Sequence, residues 1–423
     1  MTVPIRPNDS TLPVTNGERE HFIPLSKRDL ISLVASDVDL SPAEREKFLA
    51  LCRLLEATFH FEYHHQLDAL KDAYAPFDPD ADTVPLAPIS SEGRQAVLES
   101  LFSQFQSLLE RANFRPLSRD EIEKALQAAS HSGVNLNLDF DVFERLDVYV
   151  RGNVISRRRR RIPWKPWKFE TVDVPTYQRL VVIFRLRNHG ALDRKADTES
   201  VFLKIFKNIP HDDVEMLLPG TRVRMTLLDQ AKIWLPTLSG LSIALFKIAK
   251  GALLLAFAGL YGLLAFVGLV GGTIGYGVKS FLGFLRTKDK YQLNLTRSLY
   301  FQNLDNNAGV LCRLLDEAEE QELRETVLAY FLLWRHAPSE GWTMQQIDQA
   351  AEQYLEETVG LKVDFEVDDA VAKLLRLGIG QKRGGDRYSA VGVETALVRL
   401  DEAWDNFFDY HHPPSQESAR RAA

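Results

Sequence analysis

The stretch HFEYHH at residues 60–65 contains residue types that could bind a metal ion. His60 and His64 are four residues apart, about one helical turn, and two imidazoles at this spacing can share a Zn²⁺. In the zincin motif the glutamate directly follows the first histidine, whereas Glu62 lies two positions later, on another face of a helix. The pattern supplies no third ligand. We therefore predict packed or hydrogen-bonded histidines, with no metal and no other cofactor.

A second candidate site is the basic stretch SRRRRRIPWKPWKFE at residues 156–170, which falls between two predicted strands and is expected to form a loop. A nucleic acid would use the charges for its phosphates and the tryptophans for base stacking. An anionic membrane surface would gain about 1 kcal/mol per basic residue, and tryptophan suits the lipid interface. A third interpretation is a solvated basic hairpin that pairs with the protein's own carboxylates. The candidate contact residues are Arg157, Arg158, Arg159, Arg160, Arg161, Trp164, Lys165, Trp167 and Lys168.

Composition and charge limit the classes of function. The chain of 423 residues is 45% hydrophobic and 26% charged, as in ordinary globular proteins, and its length allows two or three domains. With a net charge of −7, the protein could bind nucleic acid only through a local patch. The two cysteines, Cys52 and Cys312, lie far apart and lack metal-ligand spacing, which suits a reducing compartment.

Residues 251–278 form a run of 28 residues without a charged side chain. A helix needs only about 20 apolar residues to cross the hydrocarbon core of a bilayer, so the sequence predicts a transmembrane region at residues 233–285. Basic residues flank both ends, which slightly favours a helical hairpin. A single span from Gly251 would instead keep Lys247 and Lys250 out of the bilayer. Such an anchor would hold the arginine run near lipid, which favours headgroup contact over nucleic acid.

Four glycines in this region have the spacing of small residues that let helices approach closely. They are Gly268, Gly271, Gly272 and Gly275. This spacing predicts a helix–helix contact, either within the hairpin or between protomers. The alternative is that glycine is simply frequent in membrane helices.

The segments on either side of this region predict an α+β protein. Residues 20–232 begin with helices, whose starts are marked by capping boxes at Ser41 and Ser118, and continue with strands rich in Val, Ile, Phe and Tyr. Residues 286–412 predict three helices and then a basic β-hairpin, which is the order of a winged helix. The helix that would read DNA begins with carboxylates, where base recognition needs Arg, Asn or Gln. We therefore predict a protein-interaction or structural role for this domain.

Several blocks, among them REHFIPLSKRDLI, YQRLVVIFR and LLDEAEEQE, occur in order along residues 20–410. They resemble an uncharacterised domain family that includes animal mitochondrial transmembrane protein 143, with bacterial and plant relatives. The resemblance implies membrane residence and offers no activity, cofactor or catalytic residue to carry over.

Residues 1–19 and 413–423 have the composition of disordered tails, and the N-terminal one lacks the features of a signal peptide or presequence. We therefore expect the bacterial inner membrane, with the soluble domains in the cytoplasm.

The expected function is that of a membrane-anchored scaffold or adaptor. Its expected partners are membrane lipids and either a protein partner or a second copy of the chain. The sequence contains no phosphate-cradling glycine loop and no nucleophile elbow, so no catalytic residue is predicted and catalysis is disfavoured. One alternative is an enzyme that acts on a lipid or other membrane-proximal substrate near His60, Glu62 and His64. The other is nucleic-acid binding through the arginine run or the C-terminal hairpin.

Overall fold

The computed structural model of the protein describes residues 14–15, 19–37, 40–83, 90–123, 135–137, 139–162, 165–188, 197–211, 214, 217–218, 222–224, 275 and 301–407. The predicted transmembrane region at residues 233–285 lies outside these ranges, apart from Gly275, which is helical and exposed. The helix–helix contact predicted at the other three glycines also lies outside the described residues. Of the two predicted tails, only Arg19 and the pair Val14–Thr15 are described, and that pair forms a short strand.

The fold is α+β, but the prediction of a membrane-anchored architecture with transmembrane helices is wrong. Within the described ranges, no helix is both long enough and apolar enough to cross a membrane. The longest helices of these ranges are Pro42–Tyr74 and Ala308–Arg335, with 33 and 28 residues. Both carry charged residues along their length, and their apolar residues pack into the protein core.

The described N-terminal part includes three helices between residues 27 and 111, and a serine caps the start of each one. Helix α1 is Lys27–Ala35, α2 is Pro42–Tyr74 and α3 is Ser91–Arg111. At the start of α2, the Ser41 hydroxyl accepts a hydrogen bond from the Glu44 amide at 3.3 Å, and the Ser41 amide donates to the Glu44 carboxylate at 3.0 Å. This is the predicted capping box, which gives partners to amides that a helix start otherwise leaves unpaired.

An antiparallel sheet follows the three helices in the chain. The strands are β1 (Val14–Thr15), β2 (Arg115–Pro116), β3 (Asn135–Asn137), β4 (Phe143–Ile162), β5 (Lys165–Leu186), β6 (Val201–Pro210), β7 (Arg222–Arg224) and β8 (Asn303–Asn306). The order of the sheet is β1-β4-β5-β6-β8, and β2 also pairs with β4, while β3 and β7 form a separate two-stranded sheet.

Each face of the large sheet has its own hydrophobic core. On β5, Val181 and Ile183 belong to the larger core, whereas Val182 and Phe184 belong to the smaller one, because successive strand residues face opposite sides. The larger core also contains residues of the N-terminal helices and of the C-terminal part. The chain segments before and after residues 225–300 therefore share one core.

The C-terminal part consists of four helices and a small three-stranded sheet. The helices are α4 (Ala308–Arg335), α5 (Met344–Val359), α6 (Val367–Arg376) and α7 (Val393–Asp405). The strands are β9 (Trp342–Thr343), β10 (Gly380–Arg383) and β11 (Arg387–Ala390), in the order β10-β11-β9. Helices α4, α5 and α6 and then the β10–β11 hairpin follow one another in the order that the sequence predicts. Helix α4 packs against α1, α2, α3 and the sheet, so it is central to the described structure.

Candidate functional site

The central helix α4 carries charged side chains into the larger core. Glu322 is 1% exposed and Glu325 is 2% exposed, although carboxylates are almost never fully buried unless they are paired. Gln321 and Thr326 are also buried beside them. Because unpaired charges are very costly in a core, the two carboxylates must have partners on the surrounding elements.

Lys373 of α6 is one such partner. Its ammonium nitrogen lies 3.4 Å from a Glu322 carboxylate oxygen and 3.9 Å from a Glu325 oxygen. Arg111 of α3 donates from Nε to Glu322 at 2.6 Å, and its guanidinium lies 4.5 Å from the ring centroid of Tyr63 on α2. This cluster, which we call the glutamate–lysine cluster, joins α2, α3, α4 and α6.

The two glutamates of the cluster have opposite pKa shifts. Burial raises the pKa of the Glu325 carboxyl to about 8, although Lys373 and two amide donors act in the opposite direction. Burial also acts on Glu322, but the hydrogen bond from Arg111 and the charge of Lys373 outweigh it and lower the pKa of that carboxyl. Glu322 is therefore the charged partner of the two cations, and Glu325 holds a proton at neutral pH.

An open cleft of about 630 Å³ lies beside the glutamate–lysine cluster. Its charged lining residues are three cations and three carboxylates: Arg111, Lys373, Arg376, Glu62, Glu322 and Asp369. Arg376 donates to both carboxylate oxygens of Glu62, at 2.5 and 2.9 Å. Since these charges balance and the cations are paired, the cluster serves to hold α2, α3, α4 and α6 together.

A second cleft, of about 360 Å³, lies where α4 meets the sheet. Four arginines line it: Arg151 of β4, Arg179 of β5, and Arg313 and Arg324 of α4. Glu317 of α4 is their main counterion. It accepts a hydrogen bond from Arg179 Nε at 3.1 Å, pairs with Arg151, and lies 3.7 Å from Arg313. We call this site the arginine cleft.

The two histidines with metal-ligand spacing lie on the exposed side of α2. Their rings are stacked with 6.4 Å between centroids. His60 Nδ1 lies 3.1 Å from a Glu319 carboxylate oxygen, and His64 Nε2 lies 3.8 Å from an Asp68 oxygen. Each imidazole therefore has a carboxylate neighbour of its own. Glu62 is directed to Arg376 instead, so the three residues do not converge on one point.

One group of three carboxylates within the described ranges has ligand atoms close enough to share a metal ion. Asp348, Glu352 and Asp364 have oxygen atoms within 4.8 Å of one another. Arg19 already forms an ion pair with Glu352, and His21 lies 3.3 Å from Asp364. Protein cations therefore contact two of the three carboxylates.

The arginine run lies within a β-ribbon rather than in the loop that the sequence suggests. Strand β6 pairs with β5 only as far as Thr176, and β1 pairs with β4 no further than Ile155. Between residues 156 and 174, β4 and β5 pair only with each other in the described structure. We call residues 156–174 the arginine ribbon. Trp164 lies outside the described residues.

The register of the ribbon leaves most of the run without an opposite carboxylate. Arg157 stands opposite Asp173 and Arg160 opposite Glu170, whereas the other three arginines stand opposite uncharged residues. Arg157 Nε and the Asp173 carboxylate are 3.8 Å apart and both side chains are exposed. An exposed pair of this kind contributes only about 0–1 kcal/mol. Pairing within the ribbon therefore does not account for its charge.

Helix α6 is the helix that would read DNA according to the winged-helix prediction. Its two basic residues are engaged inside the protein: Lys373 in the glutamate–lysine cluster and Arg376 with Glu62. Its first turn carries Asp368 and Asp369, which would repel phosphates. This arrangement argues against base recognition by α6.

Residues 177–309 match a family model described as a protein of unknown function, DUF3754. This stretch is a DUF3754 domain of unknown function. No solved structure matches the chain. The DUF3754 domain begins within β5, includes β6 and β8, and ends in the first turn of α4. Arg179 of the arginine cleft lies inside this domain, whereas Arg151, Arg313 and Arg324 lie outside it.

The glutamate–lysine cluster and the arginine cleft on α4 were not predicted from the sequence. The available signal is the run DEAEEQELRE at residues 316–325, which lies within an otherwise apolar helix. Acidic runs on helices usually mark a solvated face, so the pattern gives no reason to expect burial. The partners Arg151 and Lys373 come from distant parts of the chain, and only the fold brings them to α4.

Proposed function

We propose that the protein is a scaffold or adaptor that acts by binding, and that the arginine ribbon is its contact with an anionic lipid surface. The observation that carries this proposal is the extension of the ribbon beyond the sheet. Residues 156–174 contain seven Arg and Lys residues and two carboxylates, in a protein whose net charge is −7. Positive charge is thus concentrated on one projecting element.

The residues at the end of the ribbon suit a lipid surface better than a nucleic acid. In the sequence after β4, Trp164 and Trp167 alternate with Lys165 and Lys168. Tryptophan favours the interfacial region of a bilayer, and each basic residue near anionic headgroups contributes about 1 kcal/mol. From Ser156 to the tip the ribbon extends about 20 Å, at roughly 3.3 Å per residue. The proposed surface is the cytoplasmic face of a bacterial inner membrane, contacted peripherally.

The shared core supports the scaffold part of the proposal. Helix α4 holds the N-terminal helices, the sheet and the C-terminal helices together, so the ribbon extends from a body whose elements share the larger core. A protein partner or a second copy of the chain would bind elsewhere on this body.

We also propose that the relationship to the family of transmembrane protein 143 extends beyond the DUF3754 match, over residues 20–410. The blocks REHFIPLSKRDLI and LLDEAEEQE, on either side of residues 177–309, support this extension.

The test measures binding of the full chain to phosphatidylcholine vesicles with and without phosphatidylglycerol. Changing Arg157 to Arg161 to glutamine should weaken binding to the anionic vesicles by tenfold or more, because each charge contributes about 1 kcal/mol. A matched control neutralises five exposed basic residues elsewhere and should bind nearly as well as the unchanged chain. These residues are Arg28, Arg45, Arg53, Lys71 and Lys362. Equal losses in both variants, or binding only to a single-stranded oligonucleotide, would refute the lipid proposal.

A further inference from the structure

We infer that the arginine cleft binds a small anion that carries a phosphate group. The four arginines of the cleft come from β4, β5 and α4, and they surround a volume of about 360 Å³. None of them belongs to the arginine ribbon, so this site is separate from the proposed lipid contact. The inference depends on three properties of the cleft: buried donors without partners, an excess of positive charge, and the geometry of guanidinium groups.

Arg151 is the most buried arginine of the cleft, with 9% of its side chain exposed. One terminal nitrogen donates to the Ala112 carbonyl at 2.9 Å, and the other pairs with Glu317. Its Nε atom is buried without a hydrogen-bond partner. A charged group with an unpaired buried donor is unfavourable, and an acceptor from a ligand in the cleft would remove that penalty.

Arg313 and Arg324 have the same feature. The Nε atoms of both are buried and lack a hydrogen-bond partner. The terminal nitrogens of Arg324 donate to the Leu25 carbonyl at 2.6 Å and to the Gln321 side chain at 3.1 Å, which fixes its guanidinium. Arg313 Nε lies 3.7 Å from a Glu317 oxygen, beyond hydrogen-bond distance. Three of the four arginines that line the cleft thus have a buried Nε without a hydrogen-bond acceptor.

The carboxylates of the cleft do not balance its positive charge. Asp316, Glu317 and Glu320 line it together with the four arginines, so the cations outnumber the acids by one. Burial and the neighbouring charges of Arg179 and Arg324 lower the pKa of Arg151 to about 10, against the opposing effect of Glu317. An additional anion in the cleft would offset this repulsion between the arginines.

A phosphate group fits the arrangement better than a carboxylate does. Guanidinium groups present planar pairs of donors, and a phosphate has enough oxygen atoms to accept from several of them at once. The volume lies within the range of about 300–1,000 Å³ that is usual for small-ligand sites. A soluble phosphate monoester and a lipid phosphate headgroup offer the same chemistry, so the experiment must distinguish these two sources.

Isothermal titration calorimetry on the full chain tests the inference, at an ionic strength held constant with chloride. The probes are inorganic phosphate, glycerol 3-phosphate and a short-chain phosphatidic acid kept below its micelle concentration. Arg313 is the residue to change, because it is partly exposed and its substitution leaves the buried contacts of Arg151 intact. The matched control is Arg335→Gln, on the same helix, where Arg335 is paired with Glu44.

We expect Arg313→Gln to weaken phosphate binding about tenfold, as for the loss of one charge-assisted hydrogen bond, and Arg335→Gln to leave it unchanged. Arg313→Lys retains the charge and should keep part of the affinity.

Similar affinity for glycerol 3-phosphate and phosphatidic acid identifies a soluble ligand, and binding of phosphatidic acid alone identifies a headgroup. The chain with Arg157 to Arg161 changed to glutamine should still bind phosphate, which separates this site from the ribbon. Absence of binding to all three probes, or equal effects of the Arg313 and Arg335 changes, would overturn the inference.

Discussion

Glu322 of α4 and Lys373 of α6 form a buried ion pair with 3.4 Å between Nζ and a carboxylate oxygen, and their side chains are 1% and 7% exposed. Removing each ion from water costs several kcal/mol, which the attraction between them must offset. Arg111 contributes a hydrogen bond to the same carboxylate. The pair joins α4 to α6, and Arg111 connects α3 to the same carboxylate. The energetic value of the pair depends on both partners being present.

Replacing Lys373 with methionine should destabilise the protein by about 3–5 kcal/mol, because Glu322 would lose one of its two cations within the core and keep only Arg111. The double variant Lys373→Met with Glu322→Gln should be less destabilised than the sum of the two single changes. Urea unfolding followed by circular dichroism measures these differences. The matched control is Arg376→Met on the same helix, whose exposed ion pair should contribute only about 0–1 kcal/mol. A Lys373 variant as stable as the Arg376 variant would contradict this account.

A second prediction concerns the dependence of stability on pH. In the fold the pKa of Glu325 is about 8, above the ordinary value of 4.5 that applies to the unfolded chain. The folded state therefore binds this proton more tightly than the unfolded state does. The stabilising contribution of Glu325 is fully present at pH values below the pKa that this carboxyl has in the unfolded chain. It is lost as the pH rises through the pKa that the carboxyl has in the folded protein. The fold lowers the pKa of Glu322, so the contribution of Glu322 to stability is lost as the pH falls rather than as it rises, mainly at acidic pH.

Glu325→Gln should remove this loss of stability, because the neutral amide has no proton to release. Relative to the unchanged protein, the variant should become progressively more stable between about pH 5 and pH 8. The measurement is the urea midpoint at several pH values in that interval. The control is Glu402→Gln, which changes an exposed carboxylate of α7. A constant difference between the Glu325 variant and the unchanged protein across the interval would show that Glu325 is already ionised at pH 5.

Local features of the fold could be predicted from the sequence because local chemistry determines them. The start of α2 at Ser41 follows from its capping box, and the box at Ser118 is also present, with the Ser118 amide donating to Glu121 at 2.8 Å. The order of helices and hairpin after Ala308 follows from hydrophobic periodicity and the turn at Gly384 and Gly385. These features need no information about distant residues.

The candidate sites could not be predicted in the same way. The arginine run was expected in a loop, but KFETVDV in the opposite strand is rich in β-forming residues and extends the pairing through the run. The arginine cleft needs Arg151 and Arg179 on adjacent strands, in register with each other, and α4 packed beside them. Such contacts depend on strand register and helix packing, which the pattern of one segment does not contain.

The last prediction concerns Gly341, which precedes β9 in the small C-terminal sheet. Its φ is +80°, and an added Cβ would lie 2.5 Å from the Tyr388 carbonyl oxygen. Tyr388 pairs with Trp342 in the β9–β11 ladder, so its backbone cannot move away without disturbing that sheet. Gly360, after α5, offers a matched comparison: its φ is +74°, but an added Cβ would meet no atom within 4 Å.

Gly360→Ala should therefore cost about 1–2 kcal/mol, the penalty of a left-handed conformation for a residue with a side chain. Gly341→Ala should cost this amount plus roughly 1–3 kcal/mol for the steric conflict with the backbone. Urea unfolding of the two variants provides the comparison. If the two changes were equally destabilising, the contact between residue 341 and the Tyr388 carbonyl would be looser than the structure shows, and β9 would not be held against β11 at that point. A larger cost at Gly341 would instead show that backbone packing fixes the small sheet at the point where β9 leads into α5.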